Sequence, residues 1–247
     1  MAGRLVLLCG PSCAGKSPLD RALHRFLPEL RGQLHTLVLY TSRAPRPGEK
    51  DGRDYHFRTR QQIDSLRTDD RHLVLDVRGD LQAVDLHALH SLLDDGDVFF
   101  EGNPFIGSAL VSDDLMGAVS KLSVFLSPLS REEILELRDP ARNVSLPDLV
   151  TELMRRKLLR RTTRQKTHLS AADLATIERR ASSAYGEMQL ARHFQYVIPN
   201  HDGEDSDNWD ALYYPLGDAR RALLTFAALL REEPAPLAEH WEQSLLP

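Results

Sequence analysis

Cysteine is scarce in this sequence of 247 residues, because only Cys9 and Cys13 occur. Two thiols so close together in the chain cannot hold distant segments together through disulfides. Structural disulfides belong mainly to oxidising compartments. The sequence therefore predicts a cytoplasmic protein whose hydrophobic core is stable by itself.

Long apolar runs and an excess of basic charge are also missing. No segment has the run of about 18 apolar residues that a membrane-spanning helix needs. The apolar stretch at the N-terminus is too short for a signal peptide and is not followed by a small-residue cleavage site. The formal net charge is −5, whereas nucleic-acid-binding proteins usually show a basic excess. We expect neither a membrane nor a nucleic acid as a partner.

Apolar segments alternate with helical patterns along the chain. Residues 4–9 consist of Arg4 and a continuous apolar run, which is typical of a strand buried on both faces of a parallel sheet. Residues 16–26 have the spacing of an amphipathic helix. Further strands are predicted at residues 34–40, 72–77, 97–101, 121–126 and 194–198, with helices between them. This alternation predicts an α/β fold in which helices flank a parallel sheet.

A glycine-rich turn joins the first strand to the first helix and matches the phosphate-loop pattern G-x-x-x-x-G-K-[ST]. It consists of Gly10, Pro11, Ser12, Cys13, Ala14, Gly15, Lys16 and Ser17. Backbone N–H groups of such a loop surround the phosphates of ATP, and its lysine reaches the β and γ oxygens. We therefore expect an ATP site in which Lys16 is catalytic and the Ser17 hydroxyl ligates Mg²⁺.

A second loop, at residues 40–57, combines a Pro/Gly scaffold with two arginines and a tyrosine. Arg43 and Arg46 can direct two guanidinium groups at one phosphate, and Tyr55 can donate a third hydrogen bond. The loop therefore predicts a binding site for a small anionic acceptor.

This second loop resembles the segment T-T-R-x-P-R-x-G-E-x-x-G-x-D-Y-x-F of guanylate kinases. The matching residues are Ser42, Arg43, Pro45, Arg46, Gly48, Glu49, Gly52, Asp54, Tyr55 and Phe57. The resemblance covers most of residues 4–230 and implies a P-loop kinase fold with a small acceptor-binding subdomain and a helical lid. It also implies that the two arginines and Tyr55 hold the acceptor phosphate, with Ser42 beside them.

The resemblance further implies one domain, residues 1–247, built from several parts. These are a core (1–33, 94–137 and 181–231), an acceptor-binding part (34–93), a lid (138–180) and a tail (232–247). The lid is longer than in the family, and residues 154–166 hold seven basic residues and no acidic one. Arginines of a closing lid neutralise charge during phosphoryl transfer. The catalytic candidates are Arg160, Arg161, Arg164 and, from the family match, Arg180.

The chain departs from guanylate kinases where the family reads the base, in a stretch similar to E-x-A-x-x-x-G-N-Y-Y-G-[ST]. Asp76 can stand for the glutamate if a short gap is allowed. The Y-G-[ST] element, whose tyrosine binds the acceptor phosphate, is absent, and residues 82–85 lie near its place. Guanine selectivity therefore does not carry over.

A carboxylate ends the predicted strand at residues 97–101. Glu101 resembles the first aspartate of the family's L-D-I-D, and Asn103 stands in the place of the second. Glu101 is expected to act near Mg²⁺ or the acceptor, and a structural hydrogen bond at the end of a buried strand is the alternative.

These features predict an ATP-dependent phosphotransferase that uses Mg²⁺. The leading hypothesis is a nucleoside- or deoxynucleoside-monophosphate kinase with altered base choice. The alternatives are a kinase of a non-nucleotide small molecule in a biosynthetic pathway and an inactive guanylate-kinase-like binding module. The protein is expected to be a monomer or a homodimer.

Overall fold

The structure is a computed structural model that describes residues 3–46 and 48–246, with only the backbone of Asp113. Residues 1–2 and 247, at the ends of the predicted domain, lie outside the described residues. Pro47, in the predicted acceptor loop, also lies outside them.

Strands and helices alternate along the described residues. The strands are β1 (Leu5–Cys9), β2 (His35–Thr36), β3 (Tyr40–Thr41), β4 (His56–Phe57), β5 (His72–Val77), β6 (Asp80–Asp85), β7 (Val98–Gly102), β8 (Lys121–Ser127) and β9 (Tyr196–Pro199). The helices are α1 (Lys16–Phe26), α2 (Pro28–Arg31), α3 (Arg60–Ser65), α4 (Leu86–Asp95), α5 (Pro104–Val111), α6 (Asp113–Met116), α7 (Arg131–Leu137), α8 (Leu146–Gln165), α9 (Ala171–Ser182), α10 (Ala184–Gln189) and α11 (Gly217–Leu230).

The main sheet contains five strands in the order β2-β7-β1-β8-β9, and all neighbours are parallel. This confirms the predicted parallel sheet flanked by helices. The carboxyl ends of parallel strands meet at one edge of the sheet, where ligands usually bind. At this edge the pairing of Cys9 with Gly102 brings the end of β7 next to the start of the phosphate loop.

The central strand β1 is buried along its whole length, and its side chains alternate between two hydrophobic clusters. Leu5 and Leu7 enter the cluster shared with α4, α5 and α8. Val6 and Leu8 enter the cluster shared with α1 and α11. A strand that is covered on both faces needs apolar residues at every position, which explains the continuous apolar run.

The predicted strand at residues 34–40 is wrong as a single strand. The chain gives only β2 to the main sheet and then crosses to a second sheet as β3. Between them, Leu37 and Leu39 are buried in the same cluster as Leu5. The apolar run therefore marks a buried crossing between two sheets, and a short run of this kind does not reveal where pairing stops.

The second sheet has the order β4-β3-β6-β5 and includes a hairpin, β5–β6, of which only β5 is predicted from the sequence. Arg78 and Gly79 form its turn with positive φ angles of 58° and 87°, as a tight two-residue hairpin turn requires. The pairing of Val77 with Asp80 fixes the register of the strands.

The two faces of this hairpin have different surroundings, because successive side chains point to opposite sides. On the outer face, Val74 and Leu81 pack with Ile63 of α3. The opposite, inner face is turned toward the main sheet and carries the cross-strand pairs Leu75–Gln82 and Leu73–Val84.

Helices α8 and α9 make up most of the predicted lid, whose boundaries stay a prediction. Met154 and Leu158 give α8 a buried face against the core. Ser130 and Glu133 form a capping box at the start of α7. No helix in the described part of the chain is long and apolar enough to cross a membrane.

The C-terminal tail lies along the outer side of the edge strand β9. The backbones of Val197 and Glu239 exchange two hydrogen bonds of 2.8 and 2.7 Å. Trp241 is buried and packs on the core, whereas Leu237 is exposed. Arg138 donates from Nη1 to the carbonyl oxygens of residues 244 and 245, at 2.7 and 3.0 Å.

A buried ion pair connects the hairpin turn to α10. Arg78 donates from Nε and Nη2 to the two carboxylate oxygens of Glu187, each at 2.6 Å. The Glu187 side chain has no solvent exposure, and Ser183 Oγ donates to it as well. A charge buried this deeply depends on its partner, since removal of one member leaves an unpaired charge in the interior.

We predict that Arg78→Met lowers the free energy of unfolding by about 3–5 kcal/mol, because it leaves the Glu187 carboxylate buried without its counter-ion. Urea denaturation followed by circular dichroism measures the change. Arg71→Met is the matched control, since Arg71 pairs with Asp69 on the surface, and it should have a much smaller effect. Equal losses in the two variants would contradict the prediction.

Candidate active site

The phosphate loop follows β1 and turns sharply into α1. Gly15 adopts the left-handed conformation with φ 101° at the N-cap of α1. A Cβ atom at this position would lie 2.4 Å from Nδ2 of Asn200. The loop is fixed from outside by the same asparagine, which donates to the Ala14 carbonyl oxygen at 2.8 Å. Only glycine fits both the backbone conformation and the space.

Lys16 lies at the start of α1 and is buried within the loop. Its Nζ donates to the carbonyl oxygens of Gly10 and Pro11 at 2.9 and 2.7 Å. The ammonium group therefore lies within the phosphate loop, next to the predicted ATP-binding residues. Phosphate oxygens of a nucleotide offer the same kind of acceptor with a full charge, so the group is suited to bind them.

Ser17 donates a hydrogen bond of 2.8 Å to Oε1 of Glu101 at the end of β7. Burial raises the pKa of Glu101 to about 7, against the opposing effects of Lys16 and Ser17. A buried carboxylate that resists ionisation gains from a nearby cation. Oxygen ligands of this kind suit Mg²⁺, which proteins hold with few side chains and with substrate phosphates. The Ser17–Glu101 pair therefore fits the predicted magnesium site.

Arg43 is oriented by a carboxylate and two aromatic rings in the second loop. It donates from Nη1 and Nη2 to Glu49 at 2.7 and 2.8 Å. Its guanidinium carbon lies 5.0 Å from the ring centre of Tyr55 and 5.7 Å from that of Phe57. Burial raises the pKa of Tyr55, Arg43 opposes this, and the Glu101 charge adds to it. The acceptor loop and the end of β7 therefore border the same cleft, which we call the acceptor cleft.

Two other residues predicted to bind the acceptor have structural partners. The Ser42 hydroxyl accepts a hydrogen bond of 2.8 Å from the Leu81 backbone N–H and so extends the β3–β6 ladder. The backbone N–H of Arg46 donates to Glu49 at 2.7 Å. The Arg46 side chain is 40% exposed, with its Nη1 3.9 Å from the same carboxylate. A phosphate role for either side chain stays a prediction.

The prediction that Asp76 stands for the family's glutamate is wrong, because the hairpin places Asp76 away from the acceptor cleft. It pairs with Leu81 on the outer face, is 51% exposed, and approaches Arg60 at 3.4 Å. Its carboxylate accepts a hydrogen bond from the Gly79 N–H at 2.8 Å. An alignment gap that places Asp76 at the family's glutamate position is therefore inconsistent with the register of the β5–β6 hairpin.

The four predicted lid arginines divide into two groups. Arg160 and Arg164 form ion pairs with Asp205 and Asp207, at 3.6 and 3.1 Å, in the loop after β9. Arg180 instead faces the acceptor cleft: burial lowers its pKa, and the charge of Arg43 lowers it further. Within the described residues, the Arg180 guanidinium forms no salt bridge with a carboxylate.

Arg161 is close to the phosphate loop. Burial raises the pKa of the Cys13 thiol, and the positive charge of Arg161 opposes that rise. The structure thus brings Lys16, Ser17, Glu101, Arg43, Tyr55, Arg161 and Arg180 around one cleft.

Sequence reasoning assigned no function to Glu49, Asn200 or Asp205. Glu49 matches the acceptor-loop pattern of the family, but that pattern does not reveal its partner. Asp205 lies in an acidic loop that looks like a solvated surface turn, yet it is buried against Lys157 at 3.8 Å. No local pattern reveals such contacts, because the partners are far apart in the chain.

The fold and the cleft define a P-loop kinase. A sequence model of the guanylate kinase family matches residues 2–83. A guanylate kinase from Mycobacterium sp. (strain MCS) is 34% identical over 197 residues, which are 75% of this chain and 89% of the relative. One from Nocardia farcinica (strain IFM 10152) is 53% identical over 64 residues, which are only 26% of this chain and 31% of the relative.

A solved structure shares the fold. The crystal structure of guanylate kinase from Anaplasma phagocytophilum has a TM-score of 0.55 at 19% sequence identity, covering 94% of this chain and 86% of that one. The sequence relatives show that the chain belongs to the guanylate kinase family. It is an ATP-dependent kinase, as the phosphate loop predicts.

We predict that the stability of the nucleotide-free protein falls as the pH rises from about 4.5 to about 7. The folded protein keeps the Glu101 proton to a pKa of about 7, above the ordinary 4.5 of glutamate, so the unfolded chain loses it first. Glu101→Gln should remove this fall and be more stable at pH 8 by roughly 3 kcal/mol.

Guanidinium denaturation in EDTA at pH 5 and pH 8 measures this difference. Glu233→Gln is the matched control, because Glu233 is exposed in the tail, and it should follow the unsubstituted protein. If Glu101→Gln keeps the same pH dependence as the unsubstituted protein, the assignment to Glu101 fails.

Proposed function

We propose that this chain transfers the γ-phosphoryl group of Mg-ATP to the phosphate of a nucleoside monophosphate. The observation that carries the proposal is the position of Glu101 between the phosphate loop and the acceptor loop. Its carboxylate accepts a hydrogen bond from Ser17, and its charge raises the pKa of Tyr55 in the acceptor loop. A phosphate donor and a phosphate acceptor bound at these sites would meet in one cleft.

Positioning and neutralisation of charge supply most of the catalysis in such a reaction. Lys16 would hold the β and γ phosphates, and Ser17 would ligate Mg²⁺ with Glu101 beside it. Mg²⁺, when bound, neutralises charge on the phosphates. Arg43 and Tyr55 would orient the acceptor, and Arg180, between the two sites, would stabilise charge on the group in transfer.

The lid arginines support a closing movement. Arg160 and Arg164 pair with carboxylates of the loop after β9, and a bound triphosphate would compete for them as a stronger anion. Closure of residues 138–180 over the core would exclude water and limit the hydrolysis of ATP.

GMP is the first acceptor to test, because the relatives are named guanylate kinases. The hairpin register, however, supports a change in how the base is held. Counted from Gly79 without a gap, the family's glutamate position falls on Leu73, on the inner face. A leucine cannot accept hydrogen bonds from guanine, so we expect weak use of GMP relative to another monophosphate.

A cytoplasmic location is part of the proposal, since ATP is abundant there and both cysteines are free and buried. The intact Lys16 and Ser17 argue against an inactive binding module. A non-nucleotide acceptor is the outcome to consider if no monophosphate is used.

We predict ADP release when the protein is incubated with Mg-ATP and one member of a panel of ribo- and deoxyribonucleoside monophosphates. Lys16→Ala should lower kcat at least about a hundredfold, as loss of a group that stabilises transferring phosphate does. Arg21→Ala, an exposed cation on the same helix, should leave the rate unchanged. Absence of turnover with every monophosphate would contradict the proposed function.

We also predict that Leu73→Glu lowers the KM for GMP about tenfold, because it supplies a carboxylate that accepts hydrogen bonds from guanine. Steady-state kinetics with GMP and with a pyrimidine monophosphate measure the effect. Asp76→Glu is the control on the outer face, and it should leave both KM values unchanged. An equal response to both bases would mean that Leu73 does not face the base.

A further inference from the structure

Gln82 lies on the inner face of the hairpin, directly across from the acceptor loop. It pairs with Thr41 of β3, and the ladder continues because the Ser42 N–H donates to the Leu81 carbonyl oxygen at 2.9 Å. Side chains two residues apart share a face. Arg43 follows two residues after Thr41, and its guanidinium lies against Tyr55, which packs on the same inner cluster as Val84. Arg43 and Gln82 are therefore on the same side of the second sheet.

The orientation of the Gln82 amide is fixed by a chain of two hydrogen bonds that begins at α5. The Ile106 backbone N–H donates to Oδ1 of Asn103 at 3.0 Å, as an N-cap requires. Nδ2 of Asn103 then donates to Oε1 of Gln82 at 2.7 Å. Since a backbone N–H can only donate, the oxygen and nitrogen atoms of both amides are assigned without ambiguity.

This chain of bonds determines what Gln82 can offer to a ligand. Its oxygen is occupied by Asn103, so its Nε2 amide group, which can only donate, is the end that is left for the cleft. Both side chains are nearly buried, at 7% exposure for Gln82 and 9% for Asn103. Neither can turn freely, because a reversed amide would break a buried hydrogen bond.

The residues around Gln82 indicate an anion as its ligand. Arg43 lies on the same side of the sheet, and the Arg43 charge lowers the pKa of Arg180 at the edge of the cleft. A neutral donor beside two cations adds a directed hydrogen bond to a phosphate without further repulsion between positive charges.

We infer that Gln82 is an acceptor-binding residue whose Nε2 group donates a hydrogen bond to the acceptor phosphate alongside Arg43. Asn103 is its positioning residue and acts only through the Gln82 oxygen. The inference rests on the proposed function in one respect, namely that the acceptor carries a phosphate.

The competing explanation is that the amide pair only joins the hairpin to the start of α5. Asn103→Asp separates the two explanations. The aspartate still accepts from the Ile106 N–H and keeps the cap, but it cannot donate to Gln82. The Gln82 amide would then turn to donate to the new carboxylate and present its oxygen to the acceptor phosphate.

The test measures the KM of GMP and of Mg-ATP for the full chain, and the Kd of inorganic phosphate with Mg-ADP bound at the phosphate loop. Gln82→Leu should raise the KM of GMP and the Kd of phosphate about tenfold, as loss of a hydrogen bond to a charged group does. The KM of Mg-ATP should stay unchanged. Gln61→Leu is the matched control, since Gln61 is exposed on α3, and it should change none of these values.

The double variants decide between the two explanations. Asn103→Asp should raise the KM of GMP and the Kd of phosphate about tenfold when Gln82 is present. In the Gln82→Leu or Gln82→Tyr background it should raise them by less than about twofold, because the coupling passes through Gln82. Gln82→Tyr alone should bind both ligands about as well as the unsubstituted protein. Equal losses from Asn103→Asp in all backgrounds, or no loss in Gln82→Leu, would overturn the inference.

Failure of the inference and failure of the proposed function give different results. If the chain phosphorylates a monophosphate while Gln82→Leu changes no acceptor KM or phosphate Kd, the inference fails and the function stands. If phosphate binding depends on Gln82 but no monophosphate is phosphorylated, the inference stands and the proposed function fails.

Discussion

The burial of β1 on both faces is the constraint on which the rest of the structure depends. Its hydrogen bonds to β7 on one side and β8 on the other align the carboxyl ends of three strands. That alignment sets the phosphate loop beside Glu101 and, two residues further on, beside the cap of α5 at Asn103. The residues proposed to act in catalysis and acceptor binding are thus positioned by a buried apolar strand that carries none of them.

Local patterns predicted the parts of the molecule that are local in the chain. The phosphate loop and the extent of α1 each depend on residues that are close together in the chain, and both are predicted from the sequence. The end of β2, the strand β6 and the outward position of Asp76 depend on pairing across the second sheet. Such pairing is decided by tertiary contacts. The pattern of residues 34–40 therefore did not reveal where β2 ends, and the alignment gap at Asp76 did not reveal which face this residue occupies.

The electrostatics of the free cleft are unfavourable in ways that its ligands would relieve. Arg43 and Arg180 are like charges close together, and burial lowers the pKa of Arg180. Nearby, burial raises the pKa of Glu101. An anionic acceptor would offset the first cost, and a cation bound with a triphosphate would offset the second. The binding sites are therefore preorganised at the expense of the stability of the free protein, a trade that active sites commonly make.

The tail covers the edge strand β9, so its loss would affect how readily the protein aggregates. An uncovered edge of a parallel sheet offers a row of N–H and C=O groups to any other extended chain. Here the backbone of Glu239 forms hydrogen bonds with the backbone of Val197, and the buried side chain of Trp241 anchors the segment. A nick by a protease after α11 would leave the active cleft in place yet open this edge. Loss of a few residues far from the chemistry would thus turn a discrete molecule into a template for aggregation.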